Sequence, residues 1–499
     1  STLIGHGISE INPVDIARLK APGAELKEAF IPFGAVWGSL GITENVNIEA
    51  FYQYTWEKTI LPPPGSYFST NDFAGDGGHK NNVSLGFSGN PDMDIDYLMA
   101  GLNQIGEMMR SGNAELMAAA GQAYLAYPTK TTLRSPGKSA EWEPDDGGQY
   151  GLRLSWYLPE LNETEVSFYY VNYHSRRPLF SGQTANFNDS TIGADLAYLA
   201  ANENITEDGL YNNLSAFSQV KLAYPEDIKM YAVSFNTTIG TTAVAGEISY
   251  RQDEPLQVDD VDLLFAAMPQ QLANAEISGF EGLNNISQIT DPNATITNNV
   301  CSSTGLAPFK NKCPYGSGEI ANGFILSDTI QAQVTLTHLF GPTFGASQLV
   351  GLIEIGGINI NDMPSHSELR LNGPGTARNG GIEISPGLEL GIQNGVETNP
   401  FPTDFAWGYK TIIKLDYQNL FAGINMSPRM VFSHDVNGIT PGPLFLFVED
   451  RKSVALGLSF DYQNRWKADV NYNSFFDGVG TTNQIEDRDY VSFSISYSI

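Results

Sequence analysis

Tyr490-Val-Ser-Phe-Ser-Ile-Ser-Tyr-Ser-Ile499 is the last stretch of the chain, and it alternates without a break. Val491, Phe493, Ile495, Tyr497 and Ile499 fall on one side, and Ser492, Ser494, Ser496 and Ser498 on the other. Successive side chains of a strand point to opposite faces, so this is a strand with one apolar and one polar face. A soluble sandwich strand can show the same period, but a polar tail would usually follow it.

Composition extends the reading. A length of 499 residues would allow two to four ordinary domains, and a large barrel reaches the same length as one unit. Charged residues make up only 17%, whereas Gly (50), Phe (27) and Tyr (23) are abundant. The mean hydropathy of -0.19 is that of a soluble protein. A transmembrane barrel has such a mean because only every second strand residue meets lipid. No stretch of about 18 uncharged apolar residues occurs, which excludes a transmembrane helix. No basic, apolar leader stands at Ser1, so the chain reads as a mature or truncated form. The net charge of -29 and pI near 4.4 exclude nucleic acid as a partner, since its phosphates would be repelled.

Two-residue periodicity recurs in paired segments: 33-42 with 46-58, 149-157 with 164-175, 228-238 with 243-251, 324-340 with 347-357, 405-418 with 420-433, and 452-462 with 466-476, before the last strand 489-499. Connections within pairs are short, such as Gly240-Thr241-Thr242, and those between pairs are long: 59-148, 176-227, 252-323, 358-404, 434-451 and 477-488. Short periplasmic turns and long extracellular loops are the asymmetry of outer-membrane barrels. The expected fold is therefore all-β, a transmembrane antiparallel β-barrel over 33-499 with long, partly helical extracellular loops. Its final strand resembles the closing strand of such barrels, with Ile499 where an aromatic residue usually stands. Trp56 and Trp407 are expected near the upper strand ends and Trp156 and Trp466 near the lower ends, on the lipid face, as interfacial anchors. Thirteen segments are visible where a single-chain barrel has an even number, so 14 to 16 strands are expected in the parent protein. Residues 1-32 form an arm that either plugs the lumen or lies on the surface.

Ile11-Asn-Pro-Val-Asp15, Pro22-Gly-Ala-Glu-Leu-Lys-Glu28, Phe51-Tyr-Gln-Tyr-Thr-Trp-Glu-Lys58 and Pro63-Pro-Gly-Ser-Tyr-Phe-Ser-Thr-Asn-Asp-Phe73, followed by Gly75-Asp-Gly-Gly78, give the chain a specific signature. In these strings it resembles the family called domain of unknown function 1302, proteins of pseudomonads and related Gram-negative bacteria. The signature covers 11-78, and the remainder matches as a barrel pattern. The resemblance implies strands preceding the Asn-Pro-Val-Asp motif that are absent here. It also implies a periplasmic lipoprotein-fold partner and an inner-membrane efflux-type transporter of the resistance-nodulation-division superfamily. It carries no catalytic residues.

Several residues stand out as candidates. Glu49, Arg153, Glu247, Arg251, Glu354, Lys410, Lys414, Asp416, Arg429, Asp461, Lys467 and Asp469 fall on the polar face of their strands, where charges survive at membrane depth only by facing water or each other. They read as a polar conduit or as paired charges that hold the wall. Leu98, Leu102, Ile105, Met108 and Met109 recur at helical spacing within a methionine-rich stretch and suggest a hairpin of helices. Such a surface suits a lid over varied apolar ligands, or it packs the loop on itself. Val261-Met268 is a second apolar stretch that could complete the lid. Cys301 and Cys313 are the only cysteines and are expected to form a loop disulfide in an oxidising compartment.

Asp92, Asp94 and Asp96 imitate the start of a calcium loop, but Tyr97 occupies the position that requires Gly, and Asn103 that of the bidentate Glu. No cofactor is expected, with a looser structural calcium in the acidic loops kept as the alternative. The six histidines show no paired spacing for zinc. No Gly-x-Ser-x-Gly elbow, phosphate-cradling loop or Gly-His-x-Ser phospholipase signature occurs, and no enzyme activity is expected. The reading is an outer-membrane conduit for hydrophobic or amphipathic, lipid-like molecules, bathed in outer-membrane lipid and lipopolysaccharide. The rivals are a diffusion porin for hydrophilic solutes and a structural or adhesive surface protein, with a lipid hydrolase the weakest.

Overall fold

In the computed structural model, the described residues are 3–19, 21, 26–78, 83–84, 94–126, 129–135, 140–202, 213–285, 287, 289, 315–376, 382–385, 388–390 and 397–498. The alternating segments form one 13-stranded sheet in which every strand pairs with its neighbour in sequence. Its strands are β1 (Ala35–Thr43), β2 (Val46–Gln53), β3 (Gln149–Leu158), β4 (Thr164–Tyr173), β5 (Ile228–Ile239), β6 (Thr242–Gln257) and β7 (Phe324–Thr343). They continue with β8 (Ala346–Ile360), β9 (Phe405–Phe421), β10 (Ile424–Asn437), β11 (Lys452–Tyr462), β12 (Trp466–Phe476) and β13 (Tyr490–Tyr497). All the pairs are antiparallel.

Turn chemistry fixes this order. β7 and β8 are joined by two residues, Phe344 at φ 51° and Gly345 at φ 77°. Two positive φ values give the twist that matches paired strands, which is why so short a link closes a hairpin. Alternation then sorts the faces. On β13, Val491, Phe493 and Ile495 are 70%, 60% and 60% exposed, whereas Ser492 on the opposite face is 8% exposed. The same outer face carries Leu152, Phe168, Ile248, Val334, Ile355 and Leu456. So wide an exposed apolar band is unusual for a soluble protein.

Aromatic rings rim the band. Tyr150, Tyr170, Tyr231 and Tyr250 form a ladder across β3 to β6, with successive ring centroids 6.0, 5.1 and 6.2 Å apart. At the short-turn end Trp466 stacks on Tyr497 at 4.7 Å, and Trp156 is exposed. Trp56 corrects the expected register. β2 stops at Gln53, and Trp56 is buried against Tyr224 with its ring N–H donating to the Ser175 carbonyl at 3.2 Å, so it does not face outward.

The long connections form a layer at the other end of the sheet. It contains α1 (Ile95–Arg110), α2 (Ala114–Tyr124), α3 (Asp189–Ala201), α4 (Asp260–Ala267) and α5 (Pro269–Asn274). A small sheet runs through it in the order 320–321, 179–183, 218–223, 131–133, 83–84, with 141–142 also pairing 218–223. Asp94 caps α1 by accepting from Tyr97 N at 3.0 Å. Below the cap Leu98, Leu102 and Ile105 pack with Tyr124, Phe187, Ile192, Phe265 and Phe280 in one hydrophobic core.

Leu102 lies at the centre of this core with no exposure, so Leu102→Ala leaves a cavity there and costs the layer about 2–5 kcal/mol. Hydrogen exchange is expected to quicken across 95–124 while the amides of β7 to β9 stay protected. Equal loss in both places would mean that layer and sheet unfold as one unit.

Candidate functional site

The polar face of the sheet is not empty. Residues 3–11 lie across it from β9 to the end of β4. Lys410 on β9 donates to the Leu3 carbonyl at 2.7 Å. Glu354 on β8 accepts from Leu3 N at 2.7 Å and Ile4 N at 2.5 Å. On β7, Gln331 reaches the Gly5 carbonyl at 2.9 Å. Arg251 on β6 donates to the carbonyls of His6 (2.8 Å) and Gly7 (2.9 Å), and Glu247 on the same strand accepts from Ile8 N at 3.0 Å. Beyond β4, Arg177 pairs with Glu10, and Arg176 holds the Ile11 carbonyl at 3.1 Å. Burial pulls the Arg176 guanidinium down to about 10.

This contact pattern has a chemical logic. Residues 3–7 run as successive bends and Ile8–Ile11 as a single 3-10 turn, so most of their backbone N–H and C=O groups must find partners outside regular structure. Here carboxylates take the N–H groups, and cations and amides take the carbonyls. The arm's side chains add apolar anchoring. Ile4 packs with Leu256, Ile325, Ile358, Ile360 and Phe447, while Ile8 and Ile11 cover Val171, Tyr173, Ile228, Met230 and Ala232. His6 Nε2 lies 2.7 Å from Glu254, and both are buried. A cavity remains beside them, lined by His6, Glu10, Tyr173, Arg176, Arg177 and Glu254 among others.

The twelve polar-face charges therefore divide into two groups. Glu247, Arg251, Glu354 and Lys410 grip the arm. The others engage the wall itself. Arg153 bridges Glu49 at 3.4 Å and Glu165 at 2.5 Å. Lys414 pairs with Asp416 at 2.9 Å, Arg429 donates to Asn471 at 2.8 Å, and Asp469 accepts from Ser459. Asp461 lies opposite Lys467 on the neighbouring strand and accepts from Asn464 N at 3.1 Å. Sequence reasoning offered an arm or plug over 1-32 but did not assign residues 3–11 to these charges. The expectation of an arm or plug over 1-32 resolves into an inner part, 3–11, and an outer part in which Leu19, Leu26 and Phe30 are exposed.

Of the two readings of the methionine-rich stretch, the contacts are those of a loop packed on itself. Leu98, Leu102 and Ile105 are at most 1% exposed, and Met108 and Met109 pack against the same cluster. Leu98, Leu102 and Ile105 are spent on the core of the loop layer, whereas Met108 and Met109 stay partly exposed at its edge. The stretch at 261-268 joins that core as α4. Asp94 is a helix cap and Asp96 lies in the first turn, while Asp92 falls outside the described residues. Among the described residues no group of His, Cys, Asp and Glu is arranged to hold a metal. The Cys301–Cys313 pair lies outside the described residues.

The start of α4 carries Asp259, Asp260 and Asp262. Arg370 grips Asp262 through Nε (3.1 Å) and Nη2 (2.8 Å). Asp259 and Asp260 have no such cation, and one carboxylate oxygen of each lacks a hydrogen-bond partner among the described residues. Burial, then the neighbouring acids, push Asp259 well up, and burial pushes Asp260 up to about 7.

Taken together, the geometry defines a wide antiparallel sheet with an apolar outer face, a polar inner face and an inner strap. The chain belongs to the family described as protein of unknown function (DUF1302), whose model matches residues 1–499. No curated protein matches it. Among solved structures it is similar to a ferric enterobactin receptor (PfeA) mutant from Pseudomonas aeruginosa, with 13% identity and a TM-score of 0.32, over 88% of this chain and 40% of the receptor. It is also similar to a FadL homologue from Pseudomonas aeruginosa, with 9% identity and a TM-score of 0.27, over 93% of this chain and 75% of that one. LpxR from Salmonella typhimurium matches at 9% identity and a TM-score of 0.19, over 70% of this chain and 88% of that one. The chain thus spans less than half the length of the receptor.

The raised acids set a pH dependence for the loop layer. In the folded chain Asp259 and Asp260 favour the neutral form, so ionisation opposes folding as pH rises from the ordinary carboxyl value near 4 toward 7. The layer is expected to melt several degrees higher at pH 5 than at pH 8. The double variant Asp259→Asn, Asp260→Asn should flatten that difference, as read by calorimetry across the range.

Proposed function

We propose that the protein is a transmembrane β-barrel of the bacterial outer membrane that conducts hydrophobic or amphipathic small molecules and is closed in this state by residues 3–11. One observation carries the reading: the polar inner face is strapped by the chain's own arm, which covers an apolar patch there. A diffusion porin needs an open aqueous path instead. The outer band and its aromatic rims support insertion in lipid, where a strand can expose side chains only if its backbone is paired. In this reading the short turns face the periplasm, the loop layer faces outward, and outer-membrane lipid and lipopolysaccharide surround the band.

Partners follow from the family resemblance. A periplasmic protein of lipoprotein fold and an inner-membrane transporter of the resistance-nodulation-division type would deliver or receive the cargo. The role is transport without chemistry, so no catalytic residue and no cofactor is assigned.

Reconstitution in phosphatidylcholine vesicles tests the reading. A fluorescent single-chain amphiphile trapped inside should exit faster than from empty vesicles, and deletion of residues 3–11 should raise that rate further, while sugars produce no osmotic swelling of vesicles holding the intact chain. Rapid swelling with sugars would establish the porin instead.

A further inference from the structure

Two features of the inner face adjoin. The first is apolar. Tyr169 and Ala232 are opposite each other on β4 and β5, as are Val171 and Met230, and Tyr173 and Ile228. These three cross-strand pairs make one apolar patch on the wall, separate from the one under Ile4, and Ile8 and Ile11 of the arm pack over it.

The second is a charge. Arg251 is the cross-strand partner of Met230, so its guanidinium stands at the rim of the patch. It is 1% exposed, yet it makes no ion pair within 4 Å among the described residues. Its donors go to neutral oxygens: Tyr173 Oη (3.2 Å), Ser249 Oγ (3.0 Å) and the carbonyls of His6 and Gly7. Glu254, further along the same strand, is occupied by His6 at 2.7 Å and Thr329 at 2.5 Å. The carboxylates of Glu254 and Glu10 act on it only through space, and a buried cation with no direct anionic bond marks, at membrane depth, a site of function. Two of its four oxygens belong to the arm and leave with it.

We propose that residues 6–11 are an internal stand-in for a single-chain amphiphile with an anionic headgroup. The headgroup replaces the His6 and Gly7 carbonyls at Arg251, and the alkyl tail replaces Ile8 and Ile11 on Val171, Ile228 and Met230. An anionic oxygen makes the stronger, charge-assisted bond to a guanidinium, so it can displace a neutral carbonyl. The tail repeats the apolar burial that the isoleucines supply. Arrival of cargo and release of the strap then become one event. This names the cargo class for the conduit proposed above and rests on that reading.

Hydrogen exchange at residues 3–11, measured on the full chain in phosphatidylcholine nanodiscs, reads the displacement directly. Dodecanoate should accelerate exchange of the Ile8 amide and its neighbours several-fold, and dodecyltrimethylammonium should not. Ile8→Ser with Ile11→Ser leaves the wall intact and should lower the dodecanoate midpoint. Arg251→Gln should raise it about tenfold, the change expected when a charged hydrogen bond becomes a neutral one. Unchanged exchange at saturating dodecanoate, an equal response to the cationic amphiphile, or a midpoint indifferent to the isoleucines would each overturn the proposal. Vesicle efflux without displacement would keep the conduit and remove the stand-in. Displacement without efflux would keep the site and remove the conduit.

Discussion

Charges on a wall that water barely reaches must be met by something, and here they are met by main chain. Glu354, Glu247, Arg251, Gln331 and Lys410 sit on four successive strands, and residues 3–8 bond to all five. The contact is mutual. The segment gains partners for a bent backbone that no strand pairs, and the wall gains partners for ions whose burial would otherwise be unfavourable. A change at any of the five therefore acts on the strap as well as on the wall.

The sheet itself was legible because its period is two and its face assignment cannot slip. A one-residue shift would turn Ser492 and Ser494 outward and Phe493 and Ile495 inward, reversing the burial of a whole strand. All thirteen expected segments are present, with ends displaced by a few residues. Trp56 shows where periodicity misleads. Tyr52, Tyr54 and Trp56 continue the pattern, but β2 ends at Gln53, and Trp56 is taken up by Tyr224 and Ser175, contacts far away in sequence. Alternation says where a strand can run and not where tertiary contacts stop it.

The candidate site was legible by half. Polar-face parity located Glu247, Arg251, Glu354 and Lys410, because charge on one face of an otherwise apolar strand is a strong signal. Their partner left little signal, since Leu3 to Ile8 contribute mainly backbone atoms, which every sequence possesses. What could have been read is Ile4, Ile8 and Ile11, whose i, i+4, i+7 spacing among Gly5 and Gly7 marks one apolar side of the arm. The methionine-rich helices left two readings open for the opposite reason. Leu98, Leu102 and Ile105 give a clear amphipathic stripe, but a stripe says only that a face is buried, and here the burial is against α2, α3 and α4.

The distribution of ion pairs separates what the wall needs for itself from what it offers. Toward the short turns, Arg153 lies between Glu49 and Glu165, and Lys414 holds Asp416, so the charges close on one another and need no third party. Toward the loop layer, Arg251 and Lys410 make no such pair among the described residues and depend on arm carbonyls. Self-sufficient pairs stiffen a wall whatever moves past them. Cations that rely on a neutral carbonyl keep unused affinity for an anion, because each lacks the charge-assisted partner that would hold it more tightly. The inner face is thus stable at one end and receptive at the other, and the receptive end is the one that the arm covers.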